Sequence, residues 1–234
     1  MIMKKTSAFF VILAAIVGVS TVVVCTSGSG SFRTQGPAQA QTADPVDVEA
    51  EQLVRVMHLQ KGATIADIGA GSGYFTVALA RHVGDDVQVI ATDLKSQLPP
   101  LLKGLKNGGS PRNVRVVEGA VAETNLPDGS CDALVVRRTY HHLFQPVEMA
   151  KSFLRTLRPG GRLFVIETPL MRQQPVPPDT PAFREGDGIM PSVLIKELSD
   201  VGFVYEQTIQ NINPAQPIYV VVMRRPRPSG ACAG

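Results

Sequence analysis

The stretch that decides the fold is D-I-G-A-G-S-G-Y-F, which runs from Asp67 to Phe75. An apolar run with β-branched residues leads into it and predicts a short buried strand that ends near Ile68. From Tyr74 the apolar residues follow helical spacing, so the pattern indicates a strand, a turn and a helix. The turn contains three glycines at alternate positions: Gly69, Gly71 and Gly73. Glycine suits a backbone that lies against a ligand, and the free N–H groups of a helix N-terminus can bind one.

A glycine turn of this kind serves two classes of cofactor. A dinucleotide site needs G-x-G-x-x-G, whose third glycine lets the helix pack closely on the strand. Counting from Gly69 puts tyrosine in the sixth place, and counting from Gly71 puts threonine there. With Asp67 the motif becomes acid-x-Gly-x-Gly-x-Gly, which resembles the first motif of class I S-adenosylmethionine-dependent methyltransferases. The resemblance implies that S-adenosylmethionine binds at Asp67, at the three glycines and at Tyr74, with the turn under its methionine part.

The composition is that of a globular chain whose charge does not indicate binding to nucleic acid. Of the 234 residues, 44% are hydrophobic and 18% are charged, which is enough to build a core. The net charge is +3 and lies mostly in the first 44 residues, so the body is nearly neutral and is not expected to bind a duplex. The three cysteines are far apart and predict neither a zinc site nor a disulfide framework. We expect Cys131 to be a small core residue.

The amino-terminal segment is uncharged and apolar from Ala8 to Cys25, after Lys4 and Lys5. Eighteen residues are long for the apolar region of a signal peptide and just long enough to span a bilayer. We therefore predict a signal anchor within residues 1–25, with a cleaved signal peptide as the alternative, and a flexible linker over 26–45. The lysines would keep the N-terminus in the cytoplasm, so the body would be membrane-anchored or exported into the bacterial envelope. That location conflicts with a cofactor that is made in the cytoplasm.

The rest of the chain predicts alternating helices and strands. The predicted helices are Val46–Leu59, one from Tyr74 to about His82, Leu98–Asn107, one beginning at Gln145-Pro146, and Pro191–Asp200. The predicted later strands are Val87–Ala91, Val114–Val117, Ala133–Val136 and Leu163–Ile166, then an antiparallel pair, Phe203–Ile209 and Ile218–Met223. We expect Pro99-Pro100 to break the third helix and the glycines of Arg158–Arg162 to end the fourth. The proline-rich loop Thr168–Met190 is expected to form a stiff cover.

This order of elements resembles the same family from Val46 to Arg225. The resemblance implies an α/β domain over residues 46–225, with a doubly wound, seven-stranded, mostly parallel sheet and a C-terminal antiparallel hairpin. Residues 226–234 would then form a C-terminal tail.

Three acidic residues at predicted strand ends are candidates for the pocket. Asp93 ends the second strand, 24 residues after Gly69, where a carboxylate can accept two hydrogen bonds from a ribose diol. The family usually places an acid just after the third strand to meet the adenine amino group. Here Ala120 occupies the commonest position, so the resemblance transfers that role to Glu123. Glu167 closes the fifth strand and is either a pocket residue or a solvated strand-end acid.

The predicted catalytic residues follow the fourth strand in the run R-R-T-Y-H-H-L. Ligands of open α/β sheets bind outside the carboxyl ends of the strands, at the point where the strand order reverses. We predict His141 as the general base, with Tyr140 and His142 next, because these groups can hold or move a proton. The T-Y-H-H segment resembles a bacterial subset of these methyltransferases.

Two other functions remain open from the sequence. One is a nicotinamide-dependent oxidoreductase with a similar sheet. The absence of glycine at the sixth place of the G-x-G-x-x-G motif disfavours this function. The other is a membrane-tethered protein that binds the cofactor without catalysis, which the departure at Ala120 and the predicted export allow. The methyl acceptor is not identified by any motif, and we expect a small molecule or a membrane-near substrate.

Overall fold

The structure, a computed structural model, describes residues 44–169, 188–213 and 215–228. The helices are α1 (Pro45–Met57), α2 (Tyr74–Val83), α3 (Leu98–Asn107), α4 (Pro146–Thr156) and α5 (Pro191–Val201). The strands are β1 (Thr64–Ile68), β2 (Gln88–Leu94), β3 (Val114–Gly119), β4 (Cys131–Arg137), β5 (Leu157–Glu167), β6 (Val204–Gln210) and β7 (Tyr219–Arg224). Short 3-10 turns occur at Lys95–Gln97 and Tyr140–His142.

The seven strands form one sheet in the order β3-β2-β1-β4-β5-β7-β6. The first five strands are parallel to their neighbours, and β7 pairs antiparallel with both β5 and β6. The chain runs outward from β1 to β3 and then crosses to β4, so the strand order reverses between β1 and β4. The predicted fold class, a doubly wound and mostly parallel sheet with an antiparallel hairpin, is confirmed. The reversal fixes where a ligand site is expected.

The sheet is buried on both faces because helices cover each of them. Helices α1 and α2 pack over one face, with Leu53 and Leu79 against Ile65 and the neighbouring strands. Helices α4 and α5 pack over the other face, where Phe153 and Leu194 meet the opposite side of the strands. Central strands covered in this way read as continuous apolar runs, as Ala133–Val136 does. Cys131 is buried at the start of this strand.

Two local predictions were wrong. Helix α3 runs unbroken through Pro99 and Pro100, because both prolines lie in its first turn, where the missing N–H would have no helical partner. Helix α4 ends at Thr156 and not at the glycines. Leu157 takes an extended backbone and pairs with Cys131, so strand β5 already begins there and continues through the glycines.

Several predictions fall outside the residues that the structure describes. These are the signal anchor or signal peptide in residues 1–25, all but the last residues of the linker, most of the proline-rich cover, and most of the C-terminal tail. Among the five described helices, none combines the length and the hydrophobicity that crossing a bilayer requires.

Candidate cofactor and acceptor site

The glycine turn between β1 and α2 has a left-handed backbone at all three glycines. Their φ values are 74° at Gly69, 56° at Gly71 and 76° at Gly73, a region that other residues rarely adopt. A Cβ on Gly69 would lie 2.3 Å from the Cγ2 atom of Thr139, whereas one on Gly71 would meet no protein atom within 4 Å. The absence of a side chain at Gly69 therefore allows Thr139 to pack closely against the turn. At Gly71 the backbone faces open space.

A fourth glycine, which the sequence analysis did not single out, supports this turn from α3. A Cβ on Gly104 would lie 1.7 Å from the carbonyl oxygen of Ser72. The helix backbone thus packs directly against the backbone of the turn. The sequence contained no signal for this contact, because it joins positions 32 residues apart whose proximity depends on the helix packing.

Asp93 connects the end of β2 to the glycine turn. Its Oδ2 accepts a hydrogen bond of 2.6 Å from the Gly71 amide, and its Oδ1 accepts one of 2.7 Å from the Leu94 amide. Each carboxylate oxygen has a second acceptor site, so the side chain can also accept hydrogen bonds from two neighbouring hydroxyls. This geometry fits the ribose diol for which Asp93 was predicted.

Asp67 lies beneath the turn and does not reach the cavity described below. Its carboxylate is buried and accepts a hydrogen bond of 2.6 Å from the hydroxyl of Thr76 in α2. Burial raises the pKa of Asp67 to about 6, with the Thr76 hydrogen bond and the positive charge of Arg137 acting against this rise. The described contacts therefore show Asp67 joining β1 to α2.

Tyr74 also lies away from the cavity. Its ring is 69% exposed and borders a separate depression between α1, α2 and α3, next to Arg81 and Asn107. Gly73, at the N-terminus of α2, packs against Leu101 and does not line the cavity either. Of the predicted cofactor residues, the structure thus brings Gly69, Gly71, Asp93 and Glu123 together and leaves Asp67, Gly73 and Tyr74 outside the lining.

The cavity itself has a volume of about 350 Å³ and opens at the carboxyl ends of β1 to β4. Its size falls within the range of small-molecule sites. Its polar lining comes from the glycine turn, Thr92, Asp93, Gln97, Glu123, Thr124, Thr139 and His142. Its apolar lining comes from Ile68, Leu94, Ala120, Val121, Leu143, Phe144 and Met149. The cavity therefore offers both hydrogen-bonding groups for a nucleoside and apolar side chains.

Glu123 lies at the rim of the cavity, where Arg155 binds it. The Arg155 guanidinium donates to both carboxylate oxygens, at 2.6 and 2.8 Å. The Ser152 hydroxyl and then Arg155 hold the pKa of Glu123 below its usual range. The Glu123 carboxylate is thus ionised, and Arg155 already occupies part of its hydrogen-bonding capacity. Ala120, which departs from the family pattern, lines the same cavity.

Only one of the three predicted catalytic residues lines the cavity. Tyr140 is fully buried and donates a hydrogen bond of 3.1 Å to Glu197. His141 is 3% exposed and contacts Glu167, whereas His142 is exposed and borders the cavity. Glu167 matches neither of its two interpretations, because it is fully buried without lining the cavity. The structure therefore places His142, not the first choice His141, beside the space where a ligand would bind.

Comparisons with known proteins agree with this geometry. Residues 66–165 match a family model described as a methyltransferase domain. The ubiquinone/menaquinone biosynthesis C-methyltransferase UbiE of Enterobacter sp. (strain 638) is 30% identical over 110 residues, covering 47% of this chain and 44% of UbiE. These matches support a class I S-adenosylmethionine-dependent methyltransferase domain in this chain. The methyltransferase of Salmonella arizonae that carries the same name gives the same identity and coverage, so the chain matches less than half the length of these relatives.

Solved structures show the fold of this methyltransferase. An S-adenosylmethionine-dependent methyltransferase from Aquifex aeolicus superposes with a TM-score of 0.63 at 21% identity, covering 78% of this chain and 94% of that one. The [4+2]-cyclase SpnF superposes with a TM-score of 0.62 at 18% identity, covering 77% and 82%. One fold can host different reactions, so the reaction depends on the residues of the site.

The residues of the cavity fit S-adenosylmethionine, the cofactor of the family. Gly71 leaves open space over bare backbone, and Asp93 retains acceptor sites for a ribose. When bound, the cofactor supplies a methyl group on a positively charged sulfur. These findings favour the methyltransferase prediction over the nicotinamide alternative.

Proposed function

We propose that this protein transfers the methyl group of S-adenosylmethionine to an apolar small molecule. The observation that carries the proposal is that one cavity is lined both by Gly71 and Asp93 and by seven apolar residues. Gly71 and Asp93 would hold the cofactor, and the apolar residues would hold the acceptor. Because the sulfonium is already reactive, the protein's main contribution is to hold donor and acceptor in line.

The rim of the cavity supports an apolar acceptor. Leu94, Val121 and Phe144 all line it, yet they are 37%, 43% and 56% exposed. Exposed apolar side chains that gather around one opening are typical of a binding site. The relatives named for ubiquinone and menaquinone biosynthesis agree with such an acceptor. We propose a ring compound with an ionisable hydroxyl, of the kind found among quinone precursors.

The test uses the full-length purified chain. Calorimetry measures binding of S-adenosylhomocysteine, and S-adenosylmethionine with a tritiated methyl group reports transfer. The probes are 1,4-dihydroxynaphthalene and an organic extract of bacterial membranes, with an aqueous extract as the comparison. We expect label in the quinol or in the organic extract. Label confined to the aqueous extract would contradict the apolar acceptor, and absence of S-adenosylhomocysteine binding would overturn the whole proposal.

A non-catalytic protein would give a different result in the same experiment. It would bind S-adenosylhomocysteine and transfer label to none of the fractions. Ala120, which departs from the family pattern, is the reason to include this outcome.

We also propose that residues 1–25 attach the protein to a membrane. The support is the uncharged apolar stretch Ala8–Cys25 after two lysines. Cell fractionation with an alkaline carbonate wash tests this proposal. The full chain should stay in the membrane fraction, and a chain that begins at residue 44 should be released. Release of the full chain by the wash would contradict an anchor.

A further inference from the structure

Two adjacent histidine rings pack against each other in the turn after β4. The ring centroids of His141 and His142 are 3.9 Å apart, and the ring planes are tilted by 47°. His142 borders the cavity, and His141 lies behind it, 3% exposed. The orientation of the buried ring therefore constrains the ring that faces the ligand.

The buried ring is held by a carboxylate from the neighbouring strand. Oε2 of Glu167 lies 2.7 Å from Nδ1 of His141, and Oε1 accepts a 3.2 Å hydrogen bond from the His141 amide. Whichever of these two atoms carries the shared proton, the hydrogen bond fixes the orientation of the His141 ring. Both oxygens of a fully buried acid thus contact one residue and set its backbone and its ring together.

The position of Glu167 has a cost that packing alone does not explain. The residue is at the end of a strand whose preceding residues, Phe164 to Ile166, are buried and apolar. Removing a carboxylate from water costs several kcal/mol unless its partners compensate for it, and an apolar residue would avoid this cost. A role at the adjacent cavity gives a reason for an acid at this position.

Among the described residues, the phenols of Tyr140 and Tyr219 lie close to Glu167. Tyr140 donates its hydroxyl proton to Glu197, and Tyr219, paired opposite Glu167 in the sheet, donates its own to the carbonyl of Ile189. Burial raises the pKa of Tyr219, and the charge of Glu167 raises it further, so this phenol remains neutral. Both hydroxyl protons are directed to acceptors other than Glu167.

We propose that Glu167 and His141 are positioning residues that hold the ring of His142 toward the acceptor, and that His142 removes a proton from it. This inference rests on the proposed function and deepens it. An electron pair of the acceptor forms a bond to the methyl carbon, the carbon–sulfur bond breaks, and its pair stays on sulfur. The proton that the acceptor loses passes to His142 and then to solvent. The acceptor class is therefore one that loses a proton, a hydroxyl or an acidic carbon, and not a thioether or a tertiary amine.

The first test needs no acceptor, because the chain has only four histidines: His58, His82, His141 and His142. Nitrogen-15 NMR of the full chain with S-adenosylhomocysteine bound follows each ring through a pH titration. Glu167→Gln should displace the His142 titration and increase the mobility of its ring, while His58 and His82 keep their wild-type titrations. Glu197→Gln, which alters another buried carboxylate beside the same turn, is the matched control and should leave His142 unchanged. A His142 titration that is the same in wild type and Glu167→Gln would overturn the positioning role.

The second test measures turnover. With 1,4-dihydroxynaphthalene as acceptor, His142→Gln should lower kcat about a hundredfold or more and remove the limb of the pH profile that reports the base. Glu167→Gln should lower kcat less and displace that limb, while the affinity for S-adenosylhomocysteine stays within about twofold in both variants. N,N-dimethylaniline, a tertiary amine with no proton to lose on its nitrogen, should receive no label from the wild-type chain, and its methylation at the rate of the quinol would contradict the acceptor class.

The outcomes separate this inference from the function on which it rests. A wild-type chain that neither binds S-adenosylhomocysteine nor transfers label contradicts the proposed function. A wild-type chain that transfers label, together with a His142→Gln variant that retains kcat and its pH profile, contradicts the inference alone.

Discussion

The carboxylate of Asp93 and the amide of Gly71 are joined by a hydrogen bond of 2.6 Å, which ties the end of β2 to the middle of the glycine turn. The turn is also held by the carbonyl of Thr92, which accepts from the amides of Gly69 and Ala70. This part of the cavity is thus formed by two neighbouring strand ends. This arrangement makes its shape sensitive to single changes.

Replacing Asp93 by alanine should weaken cofactor binding strongly. The change removes the acceptor proposed for the ribose and also leaves the Gly71 amide without its side-chain partner. Losses of about 1.5 to 3 kcal/mol are typical for hydrogen bonds to a charged group, so the Kd for S-adenosylhomocysteine should rise roughly tenfold to a hundredfold. Calorimetry measures it, with Asp200→Ala in α5 as the exposed control. An unchanged Kd would remove Asp93 from the site.

Replacing Gly104 by alanine should destabilise the protein and distort the turn. The added Cβ would lie 1.7 Å from the Ser72 carbonyl oxygen, a distance at which the helix or the turn must move. Overpacking of this kind costs about 1 to 3 kcal/mol, although alanine favours a helix more than glycine does. Urea unfolding measures the loss, and S-adenosylhomocysteine affinity should fall with it. Leu102→Ala, at an exposed position of the same helix, is the control and should change both values little. Equal stability of Gly104→Ala and wild type would show that α3 does not pack this closely.

Replacing Asp67 by asparagine should change the pH dependence of stability. The folded-state pKa of Asp67 is raised to about 6 from its ordinary value of 3.8, so the folded protein binds more protons than the unfolded chain between these values. Stability therefore falls as pH rises from about 4 to about 6, and the ionised carboxylate costs on the order of 2 to 3 kcal/mol above that range. Urea unfolding at a series of pH values should show wild type losing stability relative to the variant over this interval. A difference between the two proteins that stays constant from pH 4 to pH 7 would contradict the raised pKa.

Replacing Glu49 by alanine should cost more stability than any exposed ion pair. Glu49, fully buried in α1, accepts two hydrogen bonds from Arg137, at 2.6 and 3.1 Å. Removing it leaves a guanidinium that is largely buried over the ring of Phe75, and such losses cost about 3 to 5 kcal/mol. Glu51→Ala breaks the exposed pair with Arg55 in the same helix and should cost less than about 1 kcal/mol. Similar unfolding midpoints for the two variants would rule out a structural role for the buried pair.

Local sequence patterns predicted the order of the helices and strands well, because each pattern depends only on residues that are close together in the sequence. The apolar run before Gly69 predicted a buried strand, and the alternating glycines predicted the turn that follows it, whose backbone is left-handed at each glycine. The end of α4 was predicted wrongly because it depends on a residue that is distant in the sequence. Leu157 is extended because it pairs with Cys131, a partner 26 residues away, and no local pattern contains that pairing.

The site was predicted less completely than the fold. The T-Y-H-H segment was correctly placed at the carboxyl end of β4, but successive side chains of a 3-10 turn point about 120° apart. Which of its histidines borders the cavity therefore depends on how the turn sits on the sheet. The roles predicted for these residues and for Asp67, Tyr74 and Glu123 stay predictions.

The sequence by itself determined the α/β fold and the resemblance to class I S-adenosylmethionine-dependent methyltransferases, because hydrophobic periodicity and the D-I-G-A-G-S-G motif are local properties of the chain. Only the tertiary structure decided that Glu167 meets His141, that His142 faces the cavity, and that Gly104 touches Ser72. Each of these relationships depends on how elements distant in sequence pack together, and packing depends on all the side chains between them. For that reason no short stretch of the chain contains them.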